Sequence, residues 1–175
     1  MTINPFNHLK STSLYGGGLL LATLVLSATA DMASHVPYET PKAEFLERFH
    51  GHLGPYVAIG AKMGADAVEN QGLPKYFGVV VSATCPASPP HSCLLDGLQV
   101  GTGATMGKRN LSIVDGKEIA VTIRGEESGK RVTYRIKESV QAELLKWAQE
   151  EIDVEKRGQW IYHRTPAELF DIEVE

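Results

Sequence analysis

The sequence predicts an α+β domain, with helices packed on a largely antiparallel sheet. Three observations lead there. The runs Leu111 to Val114, Ile119 to Arg124 and Arg131 to Ile136 are short and rich in β-branched residues, as strands are. Asp115-Gly116-Lys117 and Glu126-Glu127-Ser128-Gly129 join them, and connections that short favour antiparallel pairing of successive strands. Stretches of helical period lie before and after this block instead of alternating with its strands, which is the α+β order of elements.

The elements follow in chain order. Met1 to Ser13 is polar and carries one cation, Lys10; Leu14 to Leu26 is an apolar run; Ala28-Thr29-Ala30 sets small residues where a signal peptidase reads. This is the layout of a secretory signal peptide over residues 1–30, with cleavage before Asp31. The apolar run falls short of the about 20 residues of a spanning helix; retention as an uncleaved anchor is the competing reading. Residues 31–40 read as a polar linker, because Pro37 and Pro41 discourage regular structure. Residues 41–175 then suit one domain with a single core. Pro41 opens a short helix in which Phe45, Leu46 and Phe49 lie at helical spacing.

Gly54-Pro55 restarts the chain, with proline at the first position of a helix over Tyr56 to Asn70. Lys62, Asp66 and Glu69 are expected to face water, and Gly60 and Gly64 to admit another backbone on one face. Phe77 to Ser82 reads as a buried strand, and Cys85 to Pro90, with three prolines, as a loop. Ser92 suits an N-cap for a helix reaching about Val100. Gly101, Gly103 and Gly107 mark an irregular loop before the strand block. Lys137 to about Glu155 is expected as one amphipathic helix, with Val140, Leu144, Leu145 and Trp147 toward the core. A short helix follows Thr165-Pro166.

Charge excludes some function classes. The formal net charge is −4, and Lys108-Arg109 and Lys156-Arg157 are pairs, not stripes. That gives no footprint for nucleic acid, and no basic amphipathic helix argues for a membrane surface after signal cleavage. Thr102 to Arg109 compares poorly with a phosphate-binding loop, since Thr102 replaces its first glycine and Arg109 the hydroxyl after the lysine.

The residues suited to chemistry are His50, His52, Cys93 and Asp96. Residues two apart share a side in an extended segment or loop but not on a helix, so a looped His-Gly-His is expected to turn both imidazoles one way. Neutral imidazole is the commonest metal ligand; the alternative is a pair of histidines that cap a helix or bind backbone groups. Cys93 and Asp96 are three apart on one helix face. A thiol at a helix start is expected to have a lowered pKa, and thiolate is the form that binds metal. The alternatives are a disulfide from Cys93 to Cys85, the other cysteine of the chain, which an exported compartment permits, and for Asp96 a helix-start acid. His91 is a candidate for a site rim.

Phe49-His50-Gly51-His52, Ser92-Cys93-Leu94-Leu95-Asp96-Gly97-Leu98-Gln99 and Thr102 to Leu111 occur here in the order seen in the FmdE family, named for a component of formylmethanofuran dehydrogenase, and Pro166 to Phe170 resembles that family's C-terminal helix. The resemblance spans Phe45 to Val174. It implies an α+β fold, a homodimer, and a transition-metal site, often zinc, to which His50, His52 and Cys93 contribute, with Asp96 as fourth ligand or as orienter of a histidine. Many members carry cysteine where this chain has Gly54 and Ala104, so two sulfur donors are missing. The expected role is an exported metal-binding protein, accessory to or sensing for a redox or metal/cofactor system. A metal-dependent enzyme with an open zinc position, and a disulfide-stabilised binding domain without metal, are the rivals.

Overall fold

The computed structural model describes residues 37–175; the expected signal peptide lies outside them. The helices are α1 (Ala43–His50), α2 (Pro55–Glu69), α3 (Leu94–Thr102), α4 (Glu138–Gln149), α5 (Val154–Tyr162) and α6 (Pro166–Leu169). The strands are β1 (Val79–Cys85), β2 (Leu111–Asp115), β3 (Ala120–Gly125), β4 (Arg131–Ile136) and β5 (Phe170–Val174). Together they form an α+β domain with a five-stranded sheet of order β2-β1-β3-β4-β5.

The sheet is mixed. The β1–β3, β3–β4 and β4–β5 pairs are antiparallel, but β1 pairs in parallel with β2, Val81 opposite Leu111. A parallel neighbour needs a crossover, and α3 with its flanking loops supplies it. The short turn after β3 joins paired antiparallel neighbours as expected, but the turn after β2 does not: β1 lies between β2 and β3 in the sheet, so the expected β2–β3 pairing is corrected. β5 was not expected: the chain after α6 turns extended and adds an edge strand, Phe170 opposite Ile136.

Alternation sorts the sheet's faces. Val79, Val81, Ala83, Val121, Ile123, Val132, Tyr134 and Ile136 point into the core. Thr122 and Thr133 meet at 3.1 Å on the other, more polar face, where Arg135 pairs with Glu118 and Glu173.

α2 is the central helix and is buried along most of its length. Here the expected water-facing acid is corrected. Asp66 is only 4 % exposed; its carboxylate accepts hydrogen bonds from Tyr134 Oη at 2.8 Å, Asn70 Nδ2 at 2.7 Å and Gln71 Nε2 at 3.3 Å. Burial first, and then the Asp66 hydrogen bond, push the Tyr134 phenol far above its ordinary pKa. A buried carboxylate is tolerable only with such donors.

α2 and α3 meet along a glycine seam. A Cβ at Gly60 would lie 2.1 Å from Leu94 O, and one at Gly97 would lie 2.0 Å from Val57 O. Gly64 and Gly101 face each other one turn further along, each Cβ position within 3.0 Å of the partner's backbone. The long helix expected to reach Glu155 is broken. Glu151 adopts a positive φ of 56°, and Asp153 caps α5 by accepting from the backbone N–H groups of Glu155 and Lys156.

The end of the expected linker is fixed to the domain. Tyr38 Oη donates to Gly101 O at 3.1 Å, and Tyr162 Oη donates to Pro41 O at 3.0 Å.

Candidate metal centre

His50 is the last residue of α1, so the His-Gly-His segment is not extended throughout. Gly51 takes a left-handed conformation, φ 100°, and its N–H closes the helix on Glu47 O, the usual role of glycine just past a helix end. This reversal brings the two rings together: the His50 and His52 centroids are 5.0 Å apart.

Cys93 and Asp96 belong to the start of α3. A 3-10 turn, His91–Cys93, leads into the helix, and Cys93 rather than Ser92 occupies the N-cap position. Asp96 Oδ2 meets His50 Nδ1 at 2.7 Å. The histidine side chain of this pair is 11 % exposed and the carboxylate 38 %. Gln99 Nε2 donates to the other carboxylate oxygen at 3.4 Å. A carboxylate on Nδ1 holds the ring in the tautomer that leaves Nε2 as the acceptor or ligand.

Cys85 and Cys93 are both free thiols; Cys85 is buried on the core face of β1 and Cys93 is half-buried. The expected lowering of the Cys93 pKa is corrected. Burial, and next the nearby Asp96 charge, push this thiol up, while a backbone hydrogen bond acts weakly the other way.

The donor chemistry suits a borderline-soft transition metal: two imidazoles, a thiol and a carboxylate. The structure brings His50 to His52 on the one hand and to Asp96 on the other, with Cys93 at the N-cap of α3, three residues before Asp96. Among the described residues, no three His, Cys, Asp or Glu side chains are gathered closely enough to hold an ion. At Gly54, a Cβ would lie 2.9 Å from His52 Nε2. The His52 ring thus occupies the space into which a cysteine at this position would project. Ala104, the other missing sulfur, is fully buried.

The segment Thr102 to Leu111 has a structural role that its sequence did not disclose. Asn110 Oδ1 accepts from Thr105 N, and its Nδ2 donates to Tyr76 O and Val79 O at 3.1 and 3.0 Å. Lys108 Nζ donates to Gly103 O and lies over the Tyr76 and Phe77 rings. The lysine and asparagine of this motif therefore tie the α3–β2 loop to the start of β1.

The family described as "FmdE, Molybdenum formylmethanofuran dehydrogenase operon" matches residues 49–171. The chain belongs to the FmdE family. Its fold is similar to that of a tungsten formylmethanofuran dehydrogenase FmdE-like protein from Syntrophus aciditrophicus, with a TM-score of 0.53, 21 % identity, and coverage of 76 % of this chain and 69 % of that one. A protein of Archaeoglobus fulgidus named "Probable S-adenosyl-L-methionine-binding protein" is 37 % identical over 89 residues, 49 % of this chain. The matched stretch spans about a quarter of that relative, 24 %.

Proposed function

We propose that this FmdE-family domain is an exported homodimer that binds a transition metal, zinc first, as an accessory or sensing component of a redox or metal/cofactor system. His50 Nε2, His52 and Cys93 would hold the metal, and Asp96 would orient His50. The observation that carries this reading is the 2.7 Å contact between His50 Nδ1 and Asp96 Oδ2, made by residues 46 apart in sequence. Carboxylate-keyed imidazoles recur as metal ligands because the pair fixes the ring and raises its basicity. A bound metal would supply a Lewis acid or a sensing charge. Binding would also require loss of the Cys93 proton, and so would release protons.

Reconstitution with zinc, dialysis, elemental analysis and a parallel thiol count test it. About one zinc per chain is expected, with loss in both His50→Ala and Cys93→Ser. Retention below about one-tenth equivalent by the wild type, or full retention by Cys93→Ser, refutes the ligand set. Size-exclusion chromatography with light scattering tests the dimer, and detection of a processed N-terminus in the exported fraction tests export.

A second reading rests on the archaeal relative, whose name assigns it S-adenosyl-L-methionine. A cleft of about 520 Å³, walled in part by Phe45, Phe49, Tyr76 and Gln99, lies in the size range of small-molecule sites. Calorimetric titration with S-adenosyl-L-methionine tests this reading, and absence of saturable heat removes it.

A further inference from the structure

The cavity between the start of α2, the His91 turn, the β2–β3 connection and the α4–α5 pair belongs to neither reading above. It measures about 540 Å³. One wall is apolar: Ile119, Leu144 and Leu145 line it, with Leu145 62 % exposed at its rim. The polar lining is made by Tyr56, His91, Arg157 and Lys117, with Glu138 as the acid. The Tyr56 and His91 rings pack at 4.8 Å.

Arg157 is the informative residue. Its Nε is the one buried side-chain nitrogen or oxygen among the described residues without a hydrogen-bond partner. Leaving a charged donor desolvated and unpaired is costly, and native structures reserve such exceptions for strain, function or a missing partner. Tyr56 and Arg157 both line this cavity, and the guanidinium charge opposes the rise that burial imposes on the Tyr56 hydroxyl. An arginine fork is shaped to bind carboxylate oxygens, and the apolar wall offers burial to whatever is attached to them.

We infer that this cavity binds an amphiphilic organic acid, a carboxylate on an alkyl body, with the carboxylate on Arg157 and Tyr56 and the chain against Ile119, Leu144 and Leu145. The size lies within the roughly 300–1,000 Å³ of small-molecule sites. Lys117 adds long-range attraction at the mouth, and Glu138 sets a limit on it by repelling the same anion. The site does not depend on the metal reading, since none of His50, His52, Cys93 and Asp96 lines it.

The test is calorimetric titration of the full-length protein, in the presence of a chelator, with octanoate, octanol and acetate. Octanoate is expected to bind once per chain and about tenfold or more tighter than either control, because only it satisfies both halves of the cavity. Arg157→Gln removes the charge while keeping an amide. Leu145→Glu sets a like charge at the rim of the cavity on an exposed position, so its fold is not at risk; circular dichroism checks both variants. Each is expected to weaken octanoate about tenfold or more, and His50→Ala is expected to leave it unchanged. No saturable octanoate binding by the wild type, octanol binding as tightly as octanoate, or unaltered affinity in the folded Leu145→Glu protein overturns the inference.

Discussion

Replacing Gly97 by alanine sets two opposed effects against each other at one position. In a free helix the change is favourable by about 1 kcal/mol, since glycine forfeits more backbone entropy than alanine. In this fold the added methyl would sit 2.0 Å from Val57 O, 2.5 Å from Ala61 N and 2.9 Å from Val57 C. All three are backbone atoms of α2, which cannot swing aside as a side-chain tip does. Relief requires α2 and α3 to part by about an ångström or more to restore ordinary contact near 3.5 Å. Overpacking of this kind costs about 1–3 kcal/mol and sometimes more, and the seam is pinned on both sides by Gly60 and Gly101. A net loss of about 2 kcal/mol is expected, or about 4–8 °C in Tm for a domain of this size. Urea unfolding of Gly97→Ala beside Gly107→Ala measures it. The control residue sits in a loop where the nearest atom to an added Cβ is Thr105 Oγ1 at 3.9 Å, so its change is expected to stay within about 0.5 kcal/mol. A Gly97→Ala protein as stable as the wild type, or more so, would refute the close-packed seam.

Three further outcomes can be measured on the same preparations. Tyr134→Phe removes one of three donors to the buried Asp66 carboxylate and is expected to cost about 1–3 kcal/mol in urea unfolding; a neutral result would mean that Asp66 is solvated. Asp153→Ala removes the acceptor for the Glu155 and Lys156 N–H groups and is expected to cost about 1 kcal/mol; Trp160 of α5 packs edge-on against Trp147 of α4 with ring centroids 5.1 Å apart, so the loosening is expected to show in near-ultraviolet circular dichroism. The Glu168 carboxylate is held down to about 2 from an ordinary 4.5, first by the Thr165 N–H, then by the Thr165 hydroxyl and Arg164. Because the folded value is the lower one, this carboxylate stabilises the fold above about pH 4.5 and the contribution fades as pH falls toward about 2. The Tm gap between wild type and Glu168→Gln is expected to close over that window, and a gap that stays constant there would refute the assignment.

How much of this was legible in the sequence depends on whether the deciding partner is local. The strands β2, β3 and β4 and the β3–β4 hairpin were readable because turn chemistry and β-branching are local signals; that β1 comes between β2 and β3 is a long-range pairing no turn discloses. The open face at Gly60 and Gly64 was readable for the same reason; the matching Gly97 and Gly101 needed the fold. Asp66 read as a solvent-facing acid because its partner Tyr134 is 68 residues away. The Asp153 cap was hidden inside an otherwise helical period, so α4 and α5 read as one helix. In the site, the donor types were plain, and Asp96 as an orienter was one of its open readings. What no spacing rule supplied was that the left-handed Gly51 turns His52 back beside His50, or that burial and Asp96 would raise the Cys93 thiol instead of the helix start lowering it.

The glycine seam and the candidate site are one mechanical system. His50 reaches Asp96 across two helices that have no covalent link shorter than 46 residues. Asp96 is the residue before Gly97, and Gly97 lies against the α2 backbone. The preceding chain, from Leu53 into α2, is itself pressed on α5, where a Cβ at Gly158 would lie 1.8 Å from Leu53 O. The placement of α3, and with it of Asp96, is therefore set against α2 by backbone-to-backbone contacts, and backbone packing has two-sided tolerance: a methyl too many separates the elements, and nothing smaller than glycine can draw them closer. A hydrogen bond of 2.7 Å weakens steeply with added length, so a separation of the helices that costs the fold about 2 kcal/mol also releases the His50 ring from its orienting carboxylate. This accounts for glycines at Gly60 and Gly97, where helix propensity alone would favour alanine.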